Sequence, residues 1–98
     1  MLEELGHSAD EVADALRAKG IKGVRNTVRF LNPIVRYAHT RQADVYGIDL
    51  IQGNSLRIVF ANGQAEEIAV PEPVQRFLDN FHRGQYPDLE MTAGPGSQ

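Results

Sequence analysis

From Val45 to Val70 apolar and polar residues alternate with a period of two, and turn-forming residues break the alternation twice. A strand sends successive side chains to opposite faces, so this pattern suits a half-buried strand and is useless to a helix. It predicts three strands. Val45–Ile51 alternates Tyr46, Ile48 and Leu50 against polar or small neighbours, Leu56–Phe60 sets Leu56, Ile58 and Phe60 opposite Arg57, and Glu66–Val70 turns Ile68 and Val70 inward. Gln52-Gly53-Asn54-Ser55 supplies the first turn. Asn62-Gly63 supplies the second, where both residues tolerate the positive φ of a type I′ hairpin. Strands joined by such short turns pair antiparallel, which makes a meander.

Helical patterns flank this block. Ser8 and Glu11 form an S-x-x-E capping box ahead of residues 8–19, with the Ser hydroxyl taking the third amide and Glu11 returning to the cap amide. Leu5, Ala9, Val12 and Leu16 share a stripe, Gly20 ends the helix in a left-handed conformation, and Ile21 folds back toward Leu16. Residues 24–31 suit two periods at once: Val24, Val28 and Leu31 fit a helix, Val24, Val28 and Phe30 an alternating strand. A short helix is the preferred reading. Asn32 then caps a further helix with Pro33 at its first position, running through Ile34, Val35, Tyr37 and Ala38. After the strands, Pro71-Glu72-Pro73 opens a helix whose Val74, Phe77, Leu78 and Phe81 form an unbroken stripe and should pack on the sheet. His82 and Arg83 place positive charge in its last turn, and Gly84 stops it. Tyr86-Pro87-Asp88-Leu89 packs back on the core. The expected fold is α+β, with N-terminal helices, a three-stranded antiparallel meander and a C-terminal helix, in one domain over residues 1–89. Residues 90–98, starting at Glu90, have nothing to bury and read as a disordered tail.

Charge is segregated along the chain. The net charge of −3 contains seven of the ten basic residues between Arg17 and Arg41, a stretch with no acid from Ala15 to Ala43, while thirteen acids and only Arg57, Arg76 and Arg83 lie elsewhere. On one continuous helix Lys22, Arg25, Arg29 and Arg36 would form a cationic ridge suited to phosphate, opposite Val24, Val28, Leu31 and Val35. The competing reading is a solvated surface whose arginines meet the acids of the same domain. Lys22, Arg25, Arg29, Arg36 and Arg41 are the candidate binding residues, for an anion or a partner. The order of a capped helix, a Gly-centred turn and a second basic stretch carrying Arg25, Asn26, Thr27 and Arg29 looks like a winged helix-turn-helix, with Asn62-Gly63 as the wing. This resemblance implies nucleic-acid binding by residues 17–41. The template wants a further helix before the pair, for which Met1–His7 is too short.

Catalytic chemistry finds little support. With no Cys in 98 residues, disulfides, thiolate metal sites and cysteine nucleophiles are excluded. His7, His39 and His82 lack metal-ligand spacing, Ser8 is a cap, Ser55 lies in a turn, and Glu66 and Glu67 point to opposite faces of a strand. Phosphate-loop and dinucleotide fingerprints are missing. No enzyme activity and no cofactor are expected. No apolar run is long enough to span a bilayer, and Met1-Leu2-Glu3-Glu4-Leu5 has neither the basic nor the apolar part of a signal peptide, so a cytoplasmic location without membrane contact is expected.

Leu16–Arg25 followed by Asn32-Pro33-Ile34-Val35-Arg36-Tyr37, and the run Val70–Leu89, resemble a group of small uncharacterised bacterial proteins of the actinobacterial and planctomycete type. Those relatives often carry Cys-Pro where this chain has Asn32-Pro33. The resemblance implies a small bacterial cytosolic protein and assigns no site. The sequence therefore reads as a non-enzymatic binding or interaction domain. A macromolecular partner would dock on the basic segment or on the sheet face left open by the helices. That partner is an unknown protein or a second copy, held by the opposite charge patches, with nucleic acid as the alternative.

Overall fold

Ser8 and Gly20 bound the first α-helix, which follows a 3-10 turn at Leu2–Leu5. In the computed structural model, which describes residues 1–27, 31–42, 44–51 and 54–91, α1 runs Ala9–Lys19, and the Ser8 side chain accepts the Glu11 amide. Glu11 reaches one residue past the expected cap amide and accepts the His7 N–H at 2.8 Å. At the other end Gly20 takes φ 70°, and the amides of Gly20 and Ile21 close on the carbonyls of Arg17 and Leu16 at 3.1 and 3.0 Å. These are the paired bonds of a Schellman ending.

Helix α2 (Pro33–Arg41) begins at Asn32, which is fully buried because its side chain is fully used. Its Oδ1 accepts the Ile34 and Val35 amides at 2.9 and 3.3 Å, and its Nδ2 donates to the Thr27 carbonyl at 2.8 Å. Helix α3 (Glu72–His82) buries Val74, Phe77, Leu78 and Phe81, the stripe the spacing predicts. It ends with Gly84 at φ 82° and the Gln85 amide on the Asn80 carbonyl, 3.0 Å away.

The residues between α1 and α2 depart from the expected short helix. Gly23 is bridged to Glu90, its amide donating to the Leu89 carbonyl at 2.9 Å and its carbonyl accepting the Met91 amide at 2.8 Å. The Val24 amide closes on the Leu31 carbonyl at 2.8 Å, and Asn26 sits at φ 61°. A left-handed residue cannot continue a right-handed helix. Bonds to the distant C-terminal segment thus decide a conformation that local periodicity left open. Residues 28–30 of the expected helix lie outside the described residues. The same bridge corrects the start of the tail: Glu90 and Met91 are held in place, and the tail expected over 92–98 lies outside the described residues.

Strands β1 (Val45–Ile51), β2 (Ser55–Phe60) and β3 (Ala65–Ala69) form an antiparallel sheet of order β1-β2-β3. The second turn differs from type I′. Gly63 has φ 91°, but Asn62 keeps a negative φ and uses its side chain instead, accepting the Gln64 amide at 3.0 Å. The Gly63 amide donates to the Phe60 carbonyl at 2.9 Å and the Phe60 amide to the Gln64 carbonyl at 2.7 Å, so the loop is Ala61-Asn62-Gly63, a type I turn closed by a left-handed glycine. In the other hairpin, the turn residues Gln52 and Gly53 lie outside the described residues.

The α+β class is as expected. Ile48, Leu50, Leu56 and Ile58 from one face of the sheet enter one core with Val12 and Leu16 of α1, Ile34, Val35 and Tyr37 of α2, and the α3 stripe. The backbone of α3 comes closest to α1, and that of α2 to β1. Phe77 stacks between Phe81 and Tyr86 at centroid distances of 5.8 and 5.2 Å, which brings Tyr86–Leu89 back onto the helices.

Candidate interaction surfaces

The candidate basic residues are dispersed. Because residues 23–27 are looped, Lys22, Arg25 and Arg36 do not form the row that a continuous helix would give. The second helix of the winged pattern is likewise absent over the described residues up to Thr27. Of the two polar residues beside the arginines in that pattern, Thr27 has its hydroxyl engaged within the loop, Oγ1 donating to the Val24 carbonyl at 2.7 Å, and Asn26 is tied by its backbone amide, which donates to His82 Nδ1 at 2.9 Å. Arg29 lies outside the described residues.

Three of the described cations of this segment, Arg17, Arg25 and Arg41, meet carboxylates of their own chain. Arg25 Nε lies 3.0 Å from Glu90 Oε1, and Arg41 Nε 3.0 Å from Glu4 Oε2. Arg17 reaches Asp14 at 2.6 Å and also binds Asp88. The Arg17 hydrogen bond holds the Asp88 carboxyl below its ordinary range, with Lys22 adding a smaller attraction. Glu4 is lowered chiefly by the Tyr37 hydroxyl, which donates to it at 2.5 Å, and further by Arg41 and Lys19. Burial, with Glu4 beside it, pushes the Tyr37 hydroxyl up to about 12. Exposed pairs of this kind add little to stability, so their main effect is to cancel local positive potential. Arg36 differs: it is half-buried, its Nε finds no acceptor, and it lines a shallow hollow of about 290 Å³ with Ile21, His39 and Thr40.

The histidines do not converge; among the described residues no group of three or more His, Asp or Glu is placed to hold a metal. His82, expected as a helix-end charge, is instead a neutral acceptor, and burial pushes its pKa below the ordinary 6.5. A cleft of about 470 Å³ opens between the start of α1 and α3, lined in part by Ser8, Asp10, Arg76, Asp79 and Arg83. Its Ser8 oxygen already caps α1, and Arg76 lies 3.0 Å from Glu72.

The sheet offers a different surface. Its outward rows are Gly47-Val59-Ala65, Asp49-Arg57-Glu67 and Ile51-Ser55-Ala69, read across the three strands. Ile51 and Val59 are partly exposed and stand apart from the core cluster. At one end, two residues of β1 span the step that a single residue of β2 makes, since Val45 faces Phe60 and Gly47 faces Val59. Tyr46 is the extra residue of this bulge and is 84% exposed, which corrects its expected alignment with Ile48 and Leu50. Gly47, a glycine inside a strand pattern, is the sequence signal that marks such a bulge. Next to it, Asp44, Phe60, Ala61, Asn62 and Gln64 line an open groove of about 490 Å³.

Among the described residues both outer strands are edges. The Phe60 amide points to β3. Alternation then directs Val59, Arg57 and Ser55 to β1, whose Gly47, Asp49 and Ile51 answer them. The N–H and C=O groups of Ile48 and Leu50 therefore face away from β2. On β3 the outward set is Ala65, Glu67 and Ala69.

No protein-family model, no curated protein and no solved structure matches the chain. Among the described residues no helix is long and apolar enough to cross a membrane.

Proposed function

We propose that this chain is a non-enzymatic protein-interaction domain that docks through the sheet side, around β1, and not through the basic segment. The observation that carries the reading is Tyr46, 84% exposed on a bulge of an edge strand. Tyr is enriched among the residues that dominate protein–protein binding, and the partly exposed Ile51 and Val59 lie on the same outward side of the sheet. The nucleic-acid reading is the weaker one, because Arg17, Arg25 and Arg41 each lie against a carboxylate that repels phosphate. The resemblance to small bacterial proteins is compatible with this reading and adds no activity to it.

The test is a photo-activated cross-linking side chain placed at position 46, and separately at the exposed Lys22 position, in cells that make the chain. The reading expects a protein adduct from position 46 and none from position 22. Adducts from position 22 alone, or adducts to nucleic acid, overturn it.

A further inference from the structure

Independently of the sheet side, we infer that Arg17, Lys22 and Arg25 form a binding site for phosphate polyanions, which residues 86–91 mask in cis by setting the carboxylates of Asp88 and Glu90 on it. The arginines are already engaged with oxyanions. Arg17 presents the edge of its guanidinium to one carboxylate, with Nε donating to Asp88 Oδ2 and Nη2 to Asp88 Oδ1 at 3.3 Å. Arg25 Nε lies 3.0 Å from Glu90 Oε1, and Lys22 attracts Asp88. A guanidinium fork takes the paired oxygens of a carboxylate or of a phosphate alike. Groups that hold these two carboxylates would hold phosphate oxygens in their place.

The fold delivers the masking carboxylates. Gly23, next to Lys22, exchanges hydrogen bonds with Leu89 and Met91, and Leu89 is buried, so Asp88 and Glu90 stand on either side of an anchored residue. Tethered in this way they act at a high effective concentration, against which an anion from solution competes poorly. Arg17 also keeps Asp14, 2.6 Å away on α1. The cationic stretch itself holds no acid from Ala15 to Ala43, so residues 88 and 90 supply the charge that answers Lys22 and Arg25. All three cations remain exposed. A phosphate polyanion, unlike a single phosphate, can meet the three together once Asp88 and Glu90 stop competing.

Removing the two charges without changing shape provides the test. The double variant Asp88→Asn, Glu90→Gln keeps side-chain size, and the double variant Glu66→Gln, Glu67→Gln makes the same change in net charge on β3. Fluorescence anisotropy with a labelled single-stranded oligonucleotide at about 50 mM salt should show the first variant binding about tenfold more tightly than the parent chain, and the second close to it. The affinity of the first variant should then fall about twentyfold by about 200 mM salt, as three phosphates on a single strand require. Inorganic polyphosphate should displace the oligonucleotide, and adding Arg25→Ala should remove most of the gain. Thermal melts check that the variants are folded. Should the first variant fail to fold, Glu90→Gln alone, which frees only Arg25, carries the same test with a smaller gain. No gain over the parent chain overturns the inference, as does an equal gain in the β3 variant or a gain that survives Arg25→Ala. An oligonucleotide that polyphosphate fails to displace overturns the phosphate assignment.

Discussion

Two stretches meet at Gly20, α1 before it and residues 21–27 after it, and they differ in where their backbone groups find partners. In α1 the bonds are local, and the ends are closed by Ser8 on one side and the Gly20 and Ile21 amides on the other. Past Ile21 the loop is held from far along the chain: Leu89 and Met91 take the Gly23 backbone, His82 takes the Asn26 amide, and Glu90 takes the Arg25 guanidinium. A locally closed helix keeps its form when its surroundings loosen. A loop held from outside depends on the segment that holds it.

The largest way to break this contrast is to remove the support common to both. Phe77 is fully buried and stacks on Phe81 and on Tyr86, the residue that begins the return toward Leu89 and Glu90. Phe77→Ala should cost about 3–5 kcal/mol, a large share of a small domain's stability, and lower the melting temperature sharply. A melting temperature close to that of the parent chain would show that the aromatic stack is not the centre of the core.

A second substitution acts on the loop alone. At Gly23 an added Cβ would collide with the Pro33 ring and come within 2.7 Å of the Leu31 carbonyl. Gly23→Ala should therefore destabilise by about 1–3 kcal/mol through overpacking. Amide exchange should rise first at residues 23–26 and at Leu89 and Met91, while the α1 amides stay protected until global unfolding. Equal loss of protection in both stretches would erase the distinction between them. On the α1 side, Ser8→Ala removes the acceptor of the Glu11 amide, 3.1 Å away, and should cost about 1 kcal/mol without touching the loop.

The same contrast explains what could be read in the sequence. Ser8, Gly20, Asn32-Pro33 and the stripe from Val74 to Phe81 act within one turn of where they stand, and each element they announce is present. The strands were legible for the same reason. The loop was not, because its apolar spacing fits two periods and the deciding bonds come from more than fifty positions away. For the candidate surface the split is similar. The run of cations from Arg17 to Arg41 is plain in the sequence, but the carboxylates that answer it belong to Glu4, Asp88 and Glu90, which only the fold brings near. Plain alternation puts Tyr46 on the wrong face because one bulge shifts the register, and Gly47 is its local sign.

The smallest expected effect is a dependence on pH, and it isolates one strut of the loop. His82 Nδ1 can accept the Asn26 amide only while it carries no proton. Burial lowers the His82 pKa below 6.5 in the folded chain, with Asp79 opposing the shift. Below 6.5 the unfolded chain therefore binds a proton before the folded chain does, and stability falls with falling pH until the lower folded value is passed. Above 6.5 the contribution is complete. Its size is set by that shift, which burial causes, and not by the strength of the hydrogen bond. Glu3 and Glu4, lowered from 4.5 mainly by hydrogen bonds to the N-terminal amine and to Tyr37, lose their contribution only as pH falls below that value, so the window between 5 and 7 reports His82. Urea melts across this window should show stability declining toward pH 5 in the parent chain. In His82→Asn, whose amide oxygen can still accept but does not titrate, the decline should vanish. Amide exchange at Asn26 should rise as His82 protonates, while Gly20 and Ile21, whose amides close on α1 carbonyls, should not respond. A loop insensitive to this protonation would mean that the Gly23 bridge holds it unaided.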